Sequence, residues 1–141
     1  KTYVALLWGR WKGRQHRVEA PLKKFHLASG ERVVRVSTEG KPSLTLFRQM
    51  RLFEQATLVE AKPVTGRTHQ IRVHLSSIGH PILGDEKYGT QKSKELSQSL
   101  SVKSILLHAW KLRFTSLQKE RSVEAEIPRG FRSMGIDFGE L

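Results

Sequence analysis

Residues 65–75, TGRTHQIRVHL, place two arginines and two histidines in one short stretch that contains no acidic residue. A strand, a glycine turn and a helix carrying Arg and His form a suitable anion cradle, because free N–H groups and the positive end of the helix dipole meet there. Arg67 comes just before the predicted helix, and Arg72 lies one turn inside it, where a guanidinium suits a carboxylate or phosphate. A solvated basic helix, a phosphate site and a catalytic site all fit these residues.

The histidines do not have the spacing of a metal site. His69 and His74 are five positions apart, whereas a helical metal-binding pair has i, i+4 spacing. His80 and His108 are isolated, and no carboxylate motif accompanies them. We therefore expect structural or hydrogen-bonding histidines and no bound metal.

The charge of the chain points to a polyanionic partner. Lys and Arg number 25 against 13 acids, the net charge is +12, and residues 1–18 and 61–84 contain no acid. Two acid-free stretches favour a basic face that binds nucleic acid over scattered solubilising charge, although a generally basic protein is the alternative. Tyr3, beside a cationic N-terminus, is the aromatic residue best placed to stack on an unpaired base.

The elements that must position these residues are mostly strands. A change to helical spacing at Ile71, Leu75 and Ile78 predicts a helix capped by Thr68, with Gly66 bending the turn before it and Gly79 ending it. Six or seven strands and one helix predict an α+β fold with a mixed, mainly antiparallel sheet. The strand candidates are residues 1–9, 16–22, 31–37, 43–54, 56–64, 104–114 and 121–128.

Other stretches indicate a surface loop, the location of the protein and the extent of the fold. Residues 91–104 are rich in Ser and Lys and predict a surface loop with at most one helical turn around Lys94–Leu100. No apolar run could span a bilayer, and the absence of cysteine suits the cytoplasm, which is the expected location. Several strands look buried on both faces, which suggests that a further lobe covers them.

Three segments in order resemble the RluA-type pseudouridine synthases. Residues 63–89, PVTGRTHQIRVHLSSIGHPILGDEKYG, are similar to the signature of that family. Residues 1–9 resemble its K-x-Y-x-A strand, and residues 104–114 resemble its L-L-H-A strand. Residues 20–47 are most similar to the RluC branch, which modifies large-subunit ribosomal RNA. The resemblance extends from Lys1 to about Pro128.

The resemblance implies roles for three matching residues. Arg72 matches the basic residue that pairs with the catalytic aspartate and positions it. Tyr3 matches the tyrosine that packs against the target base. Leu107 matches the apolar residue lining the pocket, with the adjacent Leu106 as the alternative.

The resemblance also implies how the chain meets its substrate. Arg67 and His69 are expected to shape the motif loop or to contact RNA phosphate rather than to do chemistry, and Lys62 is a further residue expected to bind RNA. The implied reaction is the isomerisation of uridine to pseudouridine in ribosomal RNA, with no cofactor and no metal. The base must leave its stack before it can react, at a cost of a few kcal/mol.

The chain departs from the family in its aspartates. The catalytic aspartate belongs to an H-R-L-D segment upstream of the K-x-Y strand; no such segment occurs here, and the only aspartates are Asp85 and Asp137. We therefore expect residues 1–141 to be the C-terminal portion of a catalytic domain whose nucleophile, and any S4-like domain, lie outside it. Arg72 is then expected to lack a partner, which would leave this portion marginally stable and inactive alone. A non-catalytic RNA-binding module and an ordinary structural domain are the alternatives.

Overall fold

A computed structural model describes residues 1–116, 119–124 and 130–131 of the 141-residue chain. These residues contain eight strands and two helices, two elements more than the sequence predicted at most. No helix in these ranges is long and apolar enough to cross a membrane. The elements are β1 (Thr2–Trp8), β2 (Gln15–Glu19), β3 (Leu22–His26), β4 (Arg32–Val36), β5 (Leu44–Leu52), β6 (Ala56–Pro63), α1 (Gln70–Ser77), α2 (Gln91–Ser99), β7 (Leu107–Ser116) and β8 (Lys119–Glu124).

Six strands form one sheet in the order β2-β5-β6-β1-β7-β8, and β3 and β4 pair as a separate hairpin. Every strand pair is antiparallel. The predicted α+β class with a mainly antiparallel sheet is therefore confirmed. The strand predicted for residues 16–22 ends early, because the chain leaves the sheet at Ala20 and Pro21 and starts the hairpin at Leu22. Of the segment predicted at 121–128, residues 125–128 lie outside the described residues, as does Asp137.

Strand β1 is buried on both faces by elements of this same chain. Ala5 and Leu7 face one core, which contains Ile71 and Leu75 of α1. Val4 and Leu6 face a second core; its other members are Ala56, Leu58, Leu83, Leu106, Trp110 and Phe131. The two-sided burial of β1 is therefore achieved within this chain and gives no support to a further lobe, which stays a prediction. The strand is covered by α1 on one face and by the segments that flank α2 on the other.

Helix α1 begins one residue later than predicted. Its N-cap is His69, in the left-handed conformation with φ 54°, and no side chain caps the helix. Thr68 is therefore not the cap, and Gly66 is not needed for a tight bend, since its φ is not positive and an added Cβ would meet nothing within 4 Å. The predicted stop is present: Ile78 is the C-cap, and Gly79 adopts φ 83°.

Helix α2 occupies the stretch that was predicted to be a loop. Thr90 and Ser93 form a capping box, in which each side chain bonds the backbone N–H of the other residue. Ser97 is buried, donates to the Ser93 carbonyl and accepts from Gly84 N–H. Serine is a weak helix former in isolation, so the composition favoured a loop, whereas capping and burial of two serines stabilise the helix.

Candidate active site

Five of the residues singled out from the sequence line one cavity of about 560 Å³. The cavity lies where the first residues of β1, the first residue of β7 and the start of α1 meet. The five residues are Tyr3, Arg67, His69, Arg72 and Leu107. An aromatic ring, an aliphatic wall and cationic groups therefore face a single space.

The register of three strands fixes Tyr3 and Leu107 on the same side of the sheet. Tyr3 lies opposite Ala61 of β6 and Ala109 of β7. Leu107 lies opposite Ala5, two positions along β1 from Tyr3, so both side chains share a face. The small residues at 61 and 109 leave room beside the Tyr3 ring.

Leu106 and Leu107 point into different parts of the molecule. Leu106 is 2% exposed and belongs to the core that contains Val4 and Leu6. Leu107 is partly buried, packs against the other core and lines the cavity. Of these two neighbours, only Leu107 lines the cavity.

Arg72 is already paired within this chain, contrary to the expectation that it lacks a partner. Its Nε and Nη2 atoms donate to the two carboxylate oxygens of Asp85, each at 2.9 Å. The Asp85 side chain is 1% exposed and that of Arg72 is 23% exposed. The hydrogen bond to Asp85 raises the pKa of the Arg72 guanidinium, so the cation is permanent. The prediction failed because the partner lies on a loop thirteen residues away and had been assigned no role.

The Asp85 carboxylate also organises the loop that carries it. Its Oδ1 atom accepts from the backbone N–H groups of Lys87 and Tyr88 at 3.1 and 3.0 Å. Gly84 precedes it with φ 84°, and a Cβ at that position would lie 2.2 Å from the Ser104 carbonyl oxygen, so only glycine fits. The carboxylate is therefore saturated by four donors and faces the interior.

A buried hydrogen-bonded chain holds the turn before α1. The Gln70 side-chain oxygen accepts from Thr65 Oγ1 and from the Arg67 N–H, at 2.6 and 3.0 Å. The Gln70 amide nitrogen donates to Leu44 O and to Thr45 Oγ1. Thr45 Oγ1 in turn lies 2.8 Å from His74 Nδ1. No local pattern marks Gln70 in the sequence, because its burial and its bonds to Leu44 and Thr45 arise from the packed fold.

The two histidines of the motif have different surroundings. His74 is fully buried, and its Nε2 atom bonds the Ala20 carbonyl, which makes Nε2 the protonated nitrogen and Nδ1 the acceptor for Thr45. Burial lowers the pKa of His74 below its ordinary value. Burial, and then the nearby Arg72 charge, lower the pKa of His69. Both imidazoles are therefore neutral near pH 7, as hydrogen-bonding histidines should be.

Lys62 does not share this cavity. It lies on β6 next to Ala61, so its side chain points to the opposite face of the sheet. There it lines a different groove with Arg17 and Arg48 and lies 3.7 Å from the Glu60 carboxylate. The Arg67 guanidinium donates twice to the Pro42 carbonyl, at 3.0 and 3.1 Å, which joins the cavity rim to the turn before β5.

Metal binding finds no support in the side-chain geometry. Within residues 1–116, 119–124 and 130–131, no group of three or more His, Asp or Glu side chains is arranged to hold an ion. The carboxylate nearest to the cavity, Asp85, is committed to Arg72 and to two backbone N–H groups.

The family of the chain follows from a match over its first half. The family model described as RNA pseudouridylate synthase matches residues 1–77, more than half of the 141 residues. The chain belongs to this RNA pseudouridylate synthase family. The matched part includes β1 with Tyr3 and α1 with Arg72.

Curated relatives place the similarity within one branch of the family. The chain is 47% identical over 128 residues to "Ribosomal large subunit pseudouridine synthase C" of Yersinia pestis, covering 91% of this chain and 40% of that protein. It is 52% identical over 114 residues to the protein of the same name in Pasteurella multocida, covering 81% of this chain and 35% of that protein. The resemblance to the RluC branch is confirmed. The chain spans 35–40% of the length of these two relatives.

Solved structures agree with the fold. The human RNA pseudouridylate synthase domain containing 1 protein superposes with a TM-score of 0.73 at 29% identity, covering 91% of this chain and 54% of that one. The human domain containing 4 protein gives a TM-score of 0.74 at 24% identity, covering 98% of this chain and 63% of that one, which shows the shared fold alone.

Proposed function

We propose that this chain forms the RNA-facing part of a synthase that isomerises uridine to pseudouridine in large-subunit ribosomal RNA. The observation that carries the proposal is the convergence of Tyr3, Arg72 and Leu107 on one cavity. Its substrate class is supported by the name that the relatives in Yersinia pestis and Pasteurella multocida carry. The net charge of +12 suits a polyanionic substrate.

The cavity supplies what a flipped base requires. A uracil taken out of its stack loses stacking on both faces, and the Tyr3 ring replaces part of that contact. Leu107, which lies opposite Ala5 on the neighbouring strand, forms an apolar wall that excludes water from the glycosidic bond. Arg67 and His69 on the rim are placed to meet the RNA backbone at the mouth of the cavity.

The nucleophile or base is proposed to be an aspartate outside residues 1–141. Asp85 is unsuited to the task, because its side chain is 1% exposed and both oxygens accept hydrogen bonds from Arg72. The contacts to Asp85 use Nε and Nη2 of Arg72, and a guanidinium has further N–H donors that suit a second carboxylate. Arg72 would then hold the incoming aspartate from the cavity side while Asp85 holds Arg72 from behind.

The decisive experiment is tritium release from C5-labelled uridine in large-subunit ribosomal RNA. We expect no release from this polypeptide alone and release once a segment carrying H-R-L-D is fused or supplied with it. An Arg72→Met variant of the active combination should lose release. The matched control is Arg51→Met, which replaces an exposed arginine outside the cavity and should keep release.

Two results would count against the proposal. Release by residues 1–141 alone would mean that a group within the chain serves as the base. Tight RNA binding without release in the presence of the aspartate-bearing segment would favour a non-catalytic RNA-binding module.

A further inference from the structure

Tyr88 joins three separate parts of the molecule. Its hydroxyl accepts a hydrogen bond from the Val34 N–H of β4 at 3.0 Å. The same hydroxyl lies 2.8 Å from Nδ1 of His69 on the cavity rim. The guanidinium carbon of Arg72 lies 4.9 Å from the centre of the Tyr88 ring. Neither the composition nor the resemblance gave this residue a role.

Tyr88 is also fixed in place through its backbone N–H and carbonyl groups. Its N–H donates to Asp85 Oδ1, and its carbonyl accepts from Ser76 Oγ on α1. Tyr88 also packs against a small cluster of Leu22, Val34 and Val73, which connects the hairpin to the helix. The ring therefore has little freedom relative to α1.

The β3–β4 hairpin needs such an anchor. It is a two-stranded sheet outside the six-stranded one, and a lone two-stranded hairpin is marginal in water. The Val34 N–H that Tyr88 satisfies belongs to β4 and is a donor that would otherwise seek a partner at the edge of the hairpin. A second contact nearby is the ion pair between Lys87 and Glu31 at 3.4 Å.

The available protons at the Tyr88 hydroxyl indicate which group donates and which accepts in these two hydrogen bonds. The Val34 N–H can only donate, so the hydroxyl accepts there and has its own proton left to give. Donation to His69 Nδ1 places the imidazole proton on Nε2. This arrangement requires a neutral ring, and burial together with the Arg72 and Lys87 charges lowers the pKa of His69.

We propose that Tyr88 is a positioning residue that couples the placement of the β3–β4 hairpin to the tautomer of His69 and to the orientation of Arg72. Movement of the hairpin would pull on the Val34 contact, shift the hydroxyl and release Nδ1. An RNA strand seated against the hairpin would thereby adjust the donor that His69 offers in the cavity. The activity part of this inference rests on the proposed function, whereas the coupling itself does not.

The test uses Tyr88→Phe, which removes the hydroxyl and keeps the ring over Arg72. In the wild-type chain, ¹⁵N chemical shifts of His69 should report the Nε2–H tautomer. In the variant they should report a mixture, and amide exchange at Val34 should speed up about three- to tenfold, the scale of one lost hydrogen bond. Ser77→Ala is the matched control, since it removes a hydroxyl hydrogen bond within α1 that does not involve Tyr88, and it should leave the His69 tautomer unchanged.

The outcomes separate this inference from the proposed function. A wild-type Nδ1–H tautomer, or an unchanged tautomer and unchanged Val34 exchange in Tyr88→Phe, would overturn the coupling without reference to activity, and the wild-type measurement suffices if the variant fails to fold. In the catalytically active combination, the coupling predicts that Tyr88→Phe lowers kcat roughly tenfold with a smaller change in KM, whereas Ser77→Ala does not. Intact coupling with no tritium release from any combination would refute the proposed function alone.

Discussion

The carboxylate of Asp85 binds the guanidinium of Arg72 from the protein interior through two parallel hydrogen bonds of 2.9 Å. A two-point contact fixes the plane of the guanidinium as well as its position. Arg72 thus enters the cavity already oriented, and the cost of burying its charge is met within the chain. A carboxylate arriving from the cavity side would meet a cation that needs no reorganisation.

Asp85→Ala should destabilise the chain by about 3 kcal/mol, because it leaves a largely buried guanidinium without its counter-ion. Urea unfolding followed by circular dichroism measures this free energy. The matched control is Glu19→Ala, which breaks the ion pair with Arg17 in which both side chains are more than 60% exposed. That control should cost less than about 1 kcal/mol. Equal losses in the two variants would show that the Asp85 pair is not special.

Arg72→Lys should lower pseudouridine formation by roughly 100-fold in the active combination, because an ammonium keeps the charge but loses the planar fork that orients a carboxylate. Tritium release under single-turnover conditions gives the rate. Stability should fall less than in Asp85→Ala, since the charge of Asp85 keeps a partner. A lysine variant with full activity would mean that charge alone suffices at this position.

Stability should decrease as pH falls below about 6.5, the ordinary histidine pKa. The folded state lowers the pKa of His74 and His69, so the unfolded chain binds more protons in that range and protonation favours unfolding. The contribution of the neutral histidines is complete above pH 6.5 and is lost as pH falls through their lower folded pKa values. Unfolding free energies from pH 8 to pH 5 test this.

The histidine assignment can be checked with a pair of variants. His74→Gln should flatten the pH dependence, because the buried titrating group is gone. His26→Gln removes an exposed histidine from the end of β3 and should leave the profile unchanged. An unaltered slope in the His74 variant would assign the pH dependence to other groups.

Lys62→Ala should weaken RNA binding and reduce the slope of log K against log salt by about 0.7, the contribution of one phosphate contact on a single strand. Lys62 lies on the face of the sheet opposite the cavity and next to the last residue of β6, so this result would require RNA to pass around that end of the strand. Titration of labelled ribosomal RNA fragments at several salt concentrations gives the slope. Lys94→Ala on α2 is the control and should not change it; an unchanged slope for Lys62→Ala would confine RNA to the cavity face.

The parts of the fold that depend on neighbours in sequence were predictable. Alternation and turn residues located β1, β4, β5 and β6, and the glycine at 79 located the end of α1. The start of α1 was missed because a histidine in the left-handed conformation is uncommon and has no sequence signal. Helix α2 was missed because its serines are stabilised by a capping box and by burial, which composition does not reveal.

The candidate site also contains residues that could be predicted from the sequence and residues that could not. The resemblance supplied Tyr3, Arg72 and Leu107; strand register places Tyr3 and Leu107 on one face, and α1 brings Arg72 to the same cavity. The residues that hold them were not predictable, because each acts across a long sequence separation: Asp85 reaches back thirteen residues to Arg72, and the Tyr88 hydroxyl meets the backbone of Val34 fifty-four residues away. Pairings of that range depend on the packed fold and not on local pattern.

Strand β1 is apolar on both sides, with Val4, Ala5, Leu6 and Leu7 each 0% exposed. If the strand slipped by one residue, apolar side chains would still be buried on both faces. The burial of polar groups would therefore add almost no free-energy cost to the wrong register. Such a slip would nevertheless place the Tyr3 ring on the face of the sheet opposite the cavity. Side-chain volume opposes the slip, because Val4 or Leu6 would have to occupy the closely packed position of the smaller Ala5. Molecules with this register error would be compact, but the Tyr3 ring would be absent from the cavity.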